Sequence, residues 1–429
     1  MKKSVFKSRI DGEVKAPSSK SYFQRLIALS LLTEEETVIP EPEFCSDVAA
    51  AVRAAGLFGA DVKQSKTLKI RGARVSGLRD VTSGESSQEI TEINCGESGL
   101  AIRMFSPVAA LLGNKYLMTG SGSLLQRPVN MITDALSALG VHAKSNNGFP
   151  PVEIKGPLRG GEAEIDGSVS SQVLTGLLVS LPLADSNTVL KVNGLKSRPY
   201  VDMTIQLVEK FGGRIINSRY SRFEIKGGQR YLSPGAVKVE GDWSGAAFVL
   251  VAALVSGGSA RVNNLRADSA QADRAIINVL RQTGAAVECG ADYVEVKSVK
   301  PLLPFETDAS DCPDLFPPLA ALASACSGVS RIHGTGRLRH KESDREKTLL
   351  TEFMKAGIRI ESGGGTMKIE GGRILPFTGN SHNDHRVAMA IACAALRADG
   401  ETVIENAEAV NKSYPGFYDD LAELGGAVL

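Results

Sequence analysis

The chain has no pair of cysteines at CxxC spacing, and its six cysteines (Cys45, Cys95, Cys289, Cys312, Cys326, Cys393) are scattered through mostly apolar segments. That argues against a disulfide framework or a structural zinc site and predicts buried, reduced thiols in a cytoplasmic protein. Neither a GxxxxGK[ST] loop nor a GxGxxG fingerprint occurs, so nucleotide phosphates held on a P-loop are not expected. Excess charge is lacking too: 49 Lys and Arg face 48 Asp and Glu, a formal net charge of +1. No global field calls for nucleic acid or an anionic membrane, and any taste for anions has to come from local clusters. The longest apolar run, Ala246 to Val255, is too short to cross a bilayer. The opening MKKSVFKSRIDGEVKAP has no apolar stretch behind its lysines, so no secretion signal is expected. A soluble protein is the reading.

What the chain does have is a repeat. Six times an apolar-periodic helix ends in glycine and leads into a short β-branched strand: AAGLFGADV, LSALGV, VEKFGGRI, LRQTGAAV, FMKAGI and LAELGGAV. Glycine just past a helix is the expected left-handed cap. The six glycines (Gly59, Gly140, Gly212, Gly284, Gly357, Gly425) are separated by 81, 72, 72, 73 and 68 residues. Strand-like runs follow most of them, at Thr67–Arg71, Val152–Ile154, Arg222–Ile225, Tyr293–Val296 and Thr366–Ile369. Each copy thus mixes α and β, and three copies per domain give two similar α/β domains. At 429 residues the chain has room for two or three domains. The stretch Gly227–Gly241 reads as the mid-chain linker, and Pro17 and Ser18 mark an earlier break. The expected domains are therefore 1–18 plus 236–429, and 19–235, with a cleft beside Lys20.

Four polar clusters stand at predicted element ends. In PSSKSYFQR (Pro17–Arg25) a break is followed by a helix whose first turns carry Lys20, Ser21 and Arg25, where free N–H groups and the positive dipole end favour an anion. RLRHKESDR (Arg337–Arg345) sets Arg337, Lys341 and Arg345 at helical spacing around Glu342. SHNDHR (Ser381–Arg386) leads into a small apolar helix; His382 and His385 lack a complete ligand set, so no metal is expected and Arg386 reads as an anion contact. NCGESGLAIR (Asn94–Arg103) brackets a serine between Gly96 and Gly99 before another apolar helix. Smaller clusters are Arg127–Pro128, Ser170–Ser171–Gln172, Ser197–Tyr200 and Asn411–Ser413. Taken singly, each is what an ordinary solvated helix end looks like. Together, Lys20, Arg25, Arg103, Arg127, Lys341, Arg345, Arg386 and Lys412 call for ligands with several anionic groups, since cations gathered without them repel strongly. Asp314 (in CPDLFPP) and Glu342 are the acidic candidates for proton transfer.

The motifs PSSKSYFQR, GESGLAIR, QRP, DGSVSSQ, SRPY, CPD, HKESDR, NDHR and NKSYP, in this order over essentially the whole chain, resemble those of the 5-enolpyruvylshikimate-3-phosphate synthase family. The resemblance implies two inside-out α/β domains, each of three βαβαββ units around buried helices, with the active site in the interdomain cleft. It also implies transfer of the carboxyvinyl group of phosphoenolpyruvate to the 5-hydroxyl of shikimate 3-phosphate with release of phosphate, by a cytoplasmic monomer using no metal or organic cofactor. By motif position Lys20, Gly99, Arg127, Gln172, Lys341, Arg345, His385, Arg386 and Lys412 would hold phosphoenolpyruvate. Lys20, Ser21, Arg25, Ser170, Ser171, Gln172, Ser197, Tyr200, Asp314 and Lys341 would hold shikimate 3-phosphate. Asp314 would take the hydroxyl proton, and Glu342, with Lys20, would protonate the methylene carbon. Three positions depart from the common pattern: Glu97 stands where many members have Asn, Leu100 where Thr is common, and Arg337 where Asn is common. They bear on phosphate contacts and on the response to glyphosate. A UDP-N-acetylglucosamine enolpyruvyl transferase shares the fold, but that family's Lys-Asn is Lys20-Ser21 here and its loop cysteine has no counterpart in SGSLLQR. A silent anion binder is the other rival, and it has no use for Asp314 and Glu342.

Overall fold

All six punctuating glycines adopt the left-handed backbone that glycine alone enters at little cost: φ is 98° at Gly59, 75° at Gly140, 82° at Gly212, 81° at Gly284 and Gly357, and 96° at Gly425. These values come from a computed structural model that describes residues 1–72 and 89–429. Each glycine closes an amphipathic helix: Ser46–Leu57, Asn130–Ala138, Arg198–Lys210, Ile276–Gln282, Arg345–Lys355 and Phe417–Glu423. At Gly140 and Gly212 a Cβ would meet nothing within 4 Å, so backbone conformation and not space demands glycine there.

The chain divides into two units, Met1–Ser19 with Glu240–Leu429, and Lys20–Val239. Among the described residues each unit holds three sheets with one connection pattern. In one of them Thr91–Asn94 runs parallel to Lys115–Thr119, and Phe149–Lys155 pairs antiparallel with both Lys115–Thr119 and its hairpin partner His142–Asn146. The sheets that begin at Gly161–Asp166 and Glu306–Asp308 repeat that order. In the sheet of Thr37–Pro40 a single parallel bridge, Val38↔Ala236, stands where the fourth strand would be. In the other unit the start of the chain completes two sheets. Lys2–Phe6 lies between Thr402–Glu405 and Ala427–Val428, and Asp11–Lys15 runs parallel to Ser259–Asn263.

Sheets whose strands alternate buried and exposed residues, as in Lys115–Thr119 where Tyr116 and Met118 point inward, need an apolar layer on one side only. The helices supply it. Gly99–Leu112 (GLAIRMFSPVAALL) is buried along its whole length and packs on Gln172–Ser180 and Lys20–Leu31. In the second unit Trp243–Ser256, Phe316–Ser324 and His385–Ala395 pack on one another in the same way. A helix buried on most of its sides belongs in a core, and here each unit has three of them against its sheets. Their interiors are too apolar for chemistry, so polar residues collect at their N-terminal ends. Ser98, Asp242 and Asp384 each accept a backbone N–H at those ends.

Candidate active site

In the unit Lys20–Val239, Arg25 is the organising charge. It is 2% exposed and donates from Nε to Thr204 Oγ1 (2.9 Å), from Nη1 to the Ser21 carbonyl (2.7 Å), and from Nη2 to Thr175 Oγ1 (3.2 Å) and the Tyr200 carbonyl (3.4 Å). All four partners are neutral oxygens, and burial lowers the guanidinium to about 10. It is still a full positive charge at neutral pH, held with no carboxylate among the described residues to balance it. A buried cation in that condition carries a desolvation cost that a bound anion would offset.

The remaining residues stand around the same helix starts. Gln172 opens its helix and accepts from Arg103 Nη1 at 2.8 Å, while Arg103 Nη2 donates to the Pro128 carbonyl at 3.1 Å. Ser170 Oγ accepts the Gln172 N–H (3.2 Å), Ser171 is buried at the helix cap, and Ser197 holds a left-handed backbone (φ 55°) before the helix that carries Tyr200. Gly99 faces Arg127: a Cβ there would lie 2.6 Å from Nη1. Lys20 donates to Asp47 Oδ2 at 3.1 Å, both side chains being largely buried. Of the departures, Glu97 is tied into its own loop, accepting from the N–H (2.9 Å) and hydroxyl (2.8 Å) of Ser123, and Leu100 is buried.

In the unit Met1–Ser19 with Glu240–Leu429, Asp314 is the hub. Its Oδ1 accepts from Lys341 Nζ (3.1 Å) and Arg345 Nη1 (2.6 Å), and its Oδ2 from Arg386 Nη2 (3.1 Å). Burial by itself would raise this carboxyl, but Arg386, Lys341 and Arg345 outweigh it and hold it well below the usual carboxylate range. Arg345 is fully buried between carboxylates, with Nη2 to Glu342 Oε2 at 2.6 Å and Nε to the equally buried Asp384 at 2.7 Å. Against the pull of burial, Asp384, Glu342 and Asp314 raise its pKa. Lys341 goes the other way: burial leads, with the Arg345 and Arg337 charges adding to it, and lowers the ammonium to about 8 despite Asp314. Arg337 also lies in this field, lowered by burial and raised in part by Asp314 and Asp311. Lys412 donates to the Asn383 carbonyl at 2.6 Å, and His385 is buried beside Asp384. Arg386 is 3% exposed, and its Nε and Nη1 have no hydrogen-bond partner among the described residues.

One expectation needs correction. Arg337, Lys341 and Arg345 do not share a helix face. Thr335–His340 is a 3₁₀ turn, Lys341 is extended, and the helix begins only at Arg345 because Asp344 caps it, accepting the Lys347 N–H. Lys341 and Arg345 converge on Asp314 instead. His382 is exposed and bonds Glu352 at 2.8 Å, whereas His385 is buried beside Asp384, and among the described residues no cluster of three His, Cys, Asp or Glu side chains could hold a metal. Asp384 and Asp47, which lock Arg345 and Lys20, were not picked out from the sequence. The signal for both is an acidic residue at a helix start, which capping alone explains.

Buried cations near helix N-termini with carboxylates among them, on a six-fold repeated α/β scaffold, are the arrangement of a protein suited to small polyanions. The family model of EPSP synthase (3-phosphoshikimate 1-carboxyvinyltransferase) matches residues 6–421, and the chain belongs to that family. It is 35% identical to the 3-phosphoshikimate 1-carboxyvinyltransferase of Clostridium novyi, covering 99% of this chain and 97% of that protein. It is 38% identical to the one from Methanocella arvoryzae, over 99% of both. The solved EPSP synthase of Acinetobacter baumannii has the same fold, with a TM-score of 0.81 at 24% identity over 100% of this chain and 99% of that one. The chain is thus an enzyme of the shikimate pathway that transfers an enolpyruvyl group, and no helix among its described residues is long and apolar enough to cross a membrane.

Proposed function

We propose that this chain, acting as a cytoplasmic monomer without metal or organic cofactor, binds shikimate 3-phosphate and phosphoenolpyruvate through the residues described above. Ser21, Arg25, Ser170, Ser171, Gln172, Ser197 and Tyr200 take the shikimate ester. Arg127, Lys341, Arg345, Arg386 and Lys412 take phosphoenolpyruvate, with Gly99 leaving room for Arg127, His385 supporting the phosphate, and Lys20 reaching both ligands. The 5-hydroxyl oxygen attacks C2 of phosphoenolpyruvate while its proton passes to Asp314. Glu342, with Lys20, delivers a proton to C3. The tetrahedral intermediate then returns a C3 proton to Glu342 as the C2–O bond to phosphate breaks, which restores the double bond, and the departing phosphate takes up the proton held on Asp314.

Asp314 in the unliganded protein is a weak base, because three cations stabilise its charge. Phosphoenolpyruvate brings its own negative charges to Lys341, Arg345 and Arg386. Binding the donor therefore draws those cations away from Asp314 and raises its proton affinity at the step that needs it. Placing both reactants against fixed charge supplies much of the rate, and the two proton transfers add roughly 10²- to 10⁴-fold.

The observation that carries this reading is Arg386, a buried guanidinium with two unused nitrogens beside the carboxylate hub. The test is phosphate release from phosphoenolpyruvate with shikimate 3-phosphate or UDP-N-acetylglucosamine as acceptor, together with Asp314→Asn and Lys20→Met. Release with the shikimate ester alone, lost in both folded variants, is expected. Release with the nucleotide sugar, or near-wild-type kcat in either variant, counts against it.

A further inference from the structure

Gln271 is 3% exposed and uses every hydrogen-bonding group of its amide. Its Oε1 accepts from Ser19 Oγ (3.2 Å) and from the Trp243 N–H (3.1 Å). Its Nε2 donates to Glu240 Oε1 (2.9 Å) and to the Gly241 carbonyl (2.7 Å). Ser269 Oγ donates to the same Glu240 oxygen at 3.0 Å and accepts the Gln271 N–H at 3.1 Å. Around this amide the segments Pro17–Ser19 and Glu240–Asp242 are pinned together: the Ser19 N–H donates to the Glu240 carbonyl (2.8 Å), the Asp242 N–H to the Pro17 carbonyl (2.7 Å), and Ser18 bridges Gly241.

Ser19 is the residue before Lys20, which opens its helix. The lysine is thus held at both ends, at its ammonium by Asp47 and at its backbone root by the Ser19 clamp. We propose that Gln271 is a positioning residue for Lys20, acting through Ser19 and Glu240 to fix the backbone from which the lysine projects. This rests on the role given to Lys20 above. Only an amide can do it: two acceptor contacts and two donor contacts are filled at once, so a carboxylate loses the donors and a hydrocarbon removes all four contacts. Burial raises the Glu240 carboxyl, opposed by the hydrogen bonds from Gln271 and Ser269 and by Arg266, and Asp268 raises it further. A second carboxylate at position 271 would meet Glu240 as a like charge and share a proton with it.

Because misplacement by about 1 Å can cost on the order of 100-fold in rate, Gln271→Leu is expected to lower kcat per folded molecule by roughly 10- to 100-fold. Gln271→Glu is the same size and serves as the second variant. Its kcat relative to wild type is expected to be low at about pH 8 and to recover by roughly tenfold towards about pH 6, as the shared proton restores a donor. A purely structural role would lower the melting temperature of both variants but leave kcat per folded molecule, and its ratio to wild type across pH, unchanged. Either of those results overturns the inference, and if Gln271→Leu does not fold the pH response of Gln271→Glu decides alone. Wild type is run beside them. A wild type that releases no phosphate counts against the proposed function, whereas an active wild type with indifferent Gln271 variants counts against this inference only.

Discussion

Gly99→Ala is expected to separate stability from function. The new methyl carbon would lie 2.6 Å from Arg127 Nη1 and 2.7 Å from its Cζ and Nη2. Ordinary contact is about 3.5 Å, so the guanidinium has to retreat by roughly 1 Å. That retreat is cheap for the fold, since it moves the far end of a flexible side chain and alanine is the better helix former. It is costly for a ligand. A charge-assisted hydrogen bond at about 2.8 Å does not survive stretching to about 3.6 Å. Losing one such bond costs about 1.5–3 kcal/mol, or roughly 10- to 100-fold in affinity. Phosphate release measured against each substrate should show the KM for phosphoenolpyruvate raised by that factor, the KM for shikimate 3-phosphate little changed, and the melting temperature level or higher. An unchanged phosphoenolpyruvate KM, in an assay where Arg127→Ala does raise it, would refute the reasoning.

Asp384→Asn removes the charge that holds the fully buried Arg345 and should cost about 3–5 kcal/mol in denaturant unfolding; a loss below about 1 kcal/mol would show that Glu342 and Asp314 suffice. Lys341, lowered to about 8 from 10.5, loses its charge in the free protein as pH rises through 8, while a bound anion restores it. Phosphoenolpyruvate binding should therefore take up protons near pH 8 and weaken above it by at most about tenfold per pH unit. Calorimetry in buffers of different ionisation enthalpy reads that uptake, and Lys341→Arg should abolish it. Shikimate 3-phosphate alone at about 100 times its Kd should stabilise the fold by about 2.7 kcal/mol, seen as a raised melting temperature; no shift would count against the site around Arg25.

The repeat was legible because its signals are local. A left-handed cap is a property of one residue, so Gly59, Gly140, Gly212, Gly284, Gly357 and Gly425 announce six helix ends without any knowledge of their surroundings. Strands such as Arg222–Ile225 and Thr366–Glu370 show in their alternation. The cations were legible as residues but not as an arrangement. Helical spacing suggested that Lys341 and Arg345 share a face, whereas a cap at Asp344 breaks the run and a carboxylate distant in sequence, Asp314, brings the two together. Nothing in the sequence around Gln271 marks it out. Its meaning lies wholly in four partners at positions 19, 240, 241 and 243, and single-sequence patterns carry no such pairing.

The strand Lys2–Phe6 has a consequence for how the protein is made. It leaves the ribosome long before its neighbours in the sheet, Thr402–Glu405 and Ala427–Val428. The unit Lys20–Val239 is one continuous stretch and can close while synthesis continues. The other must keep Lys2–Phe6 waiting until all of Lys20–Val239 and the helices after it have been made. Thr402–Glu405, Ala427–Val428 and Leu429 all bond back to Lys2–Phe6, so a ribosome stalled before Thr402 would hold one finished unit and one that has its inner helices but lacks that sheet.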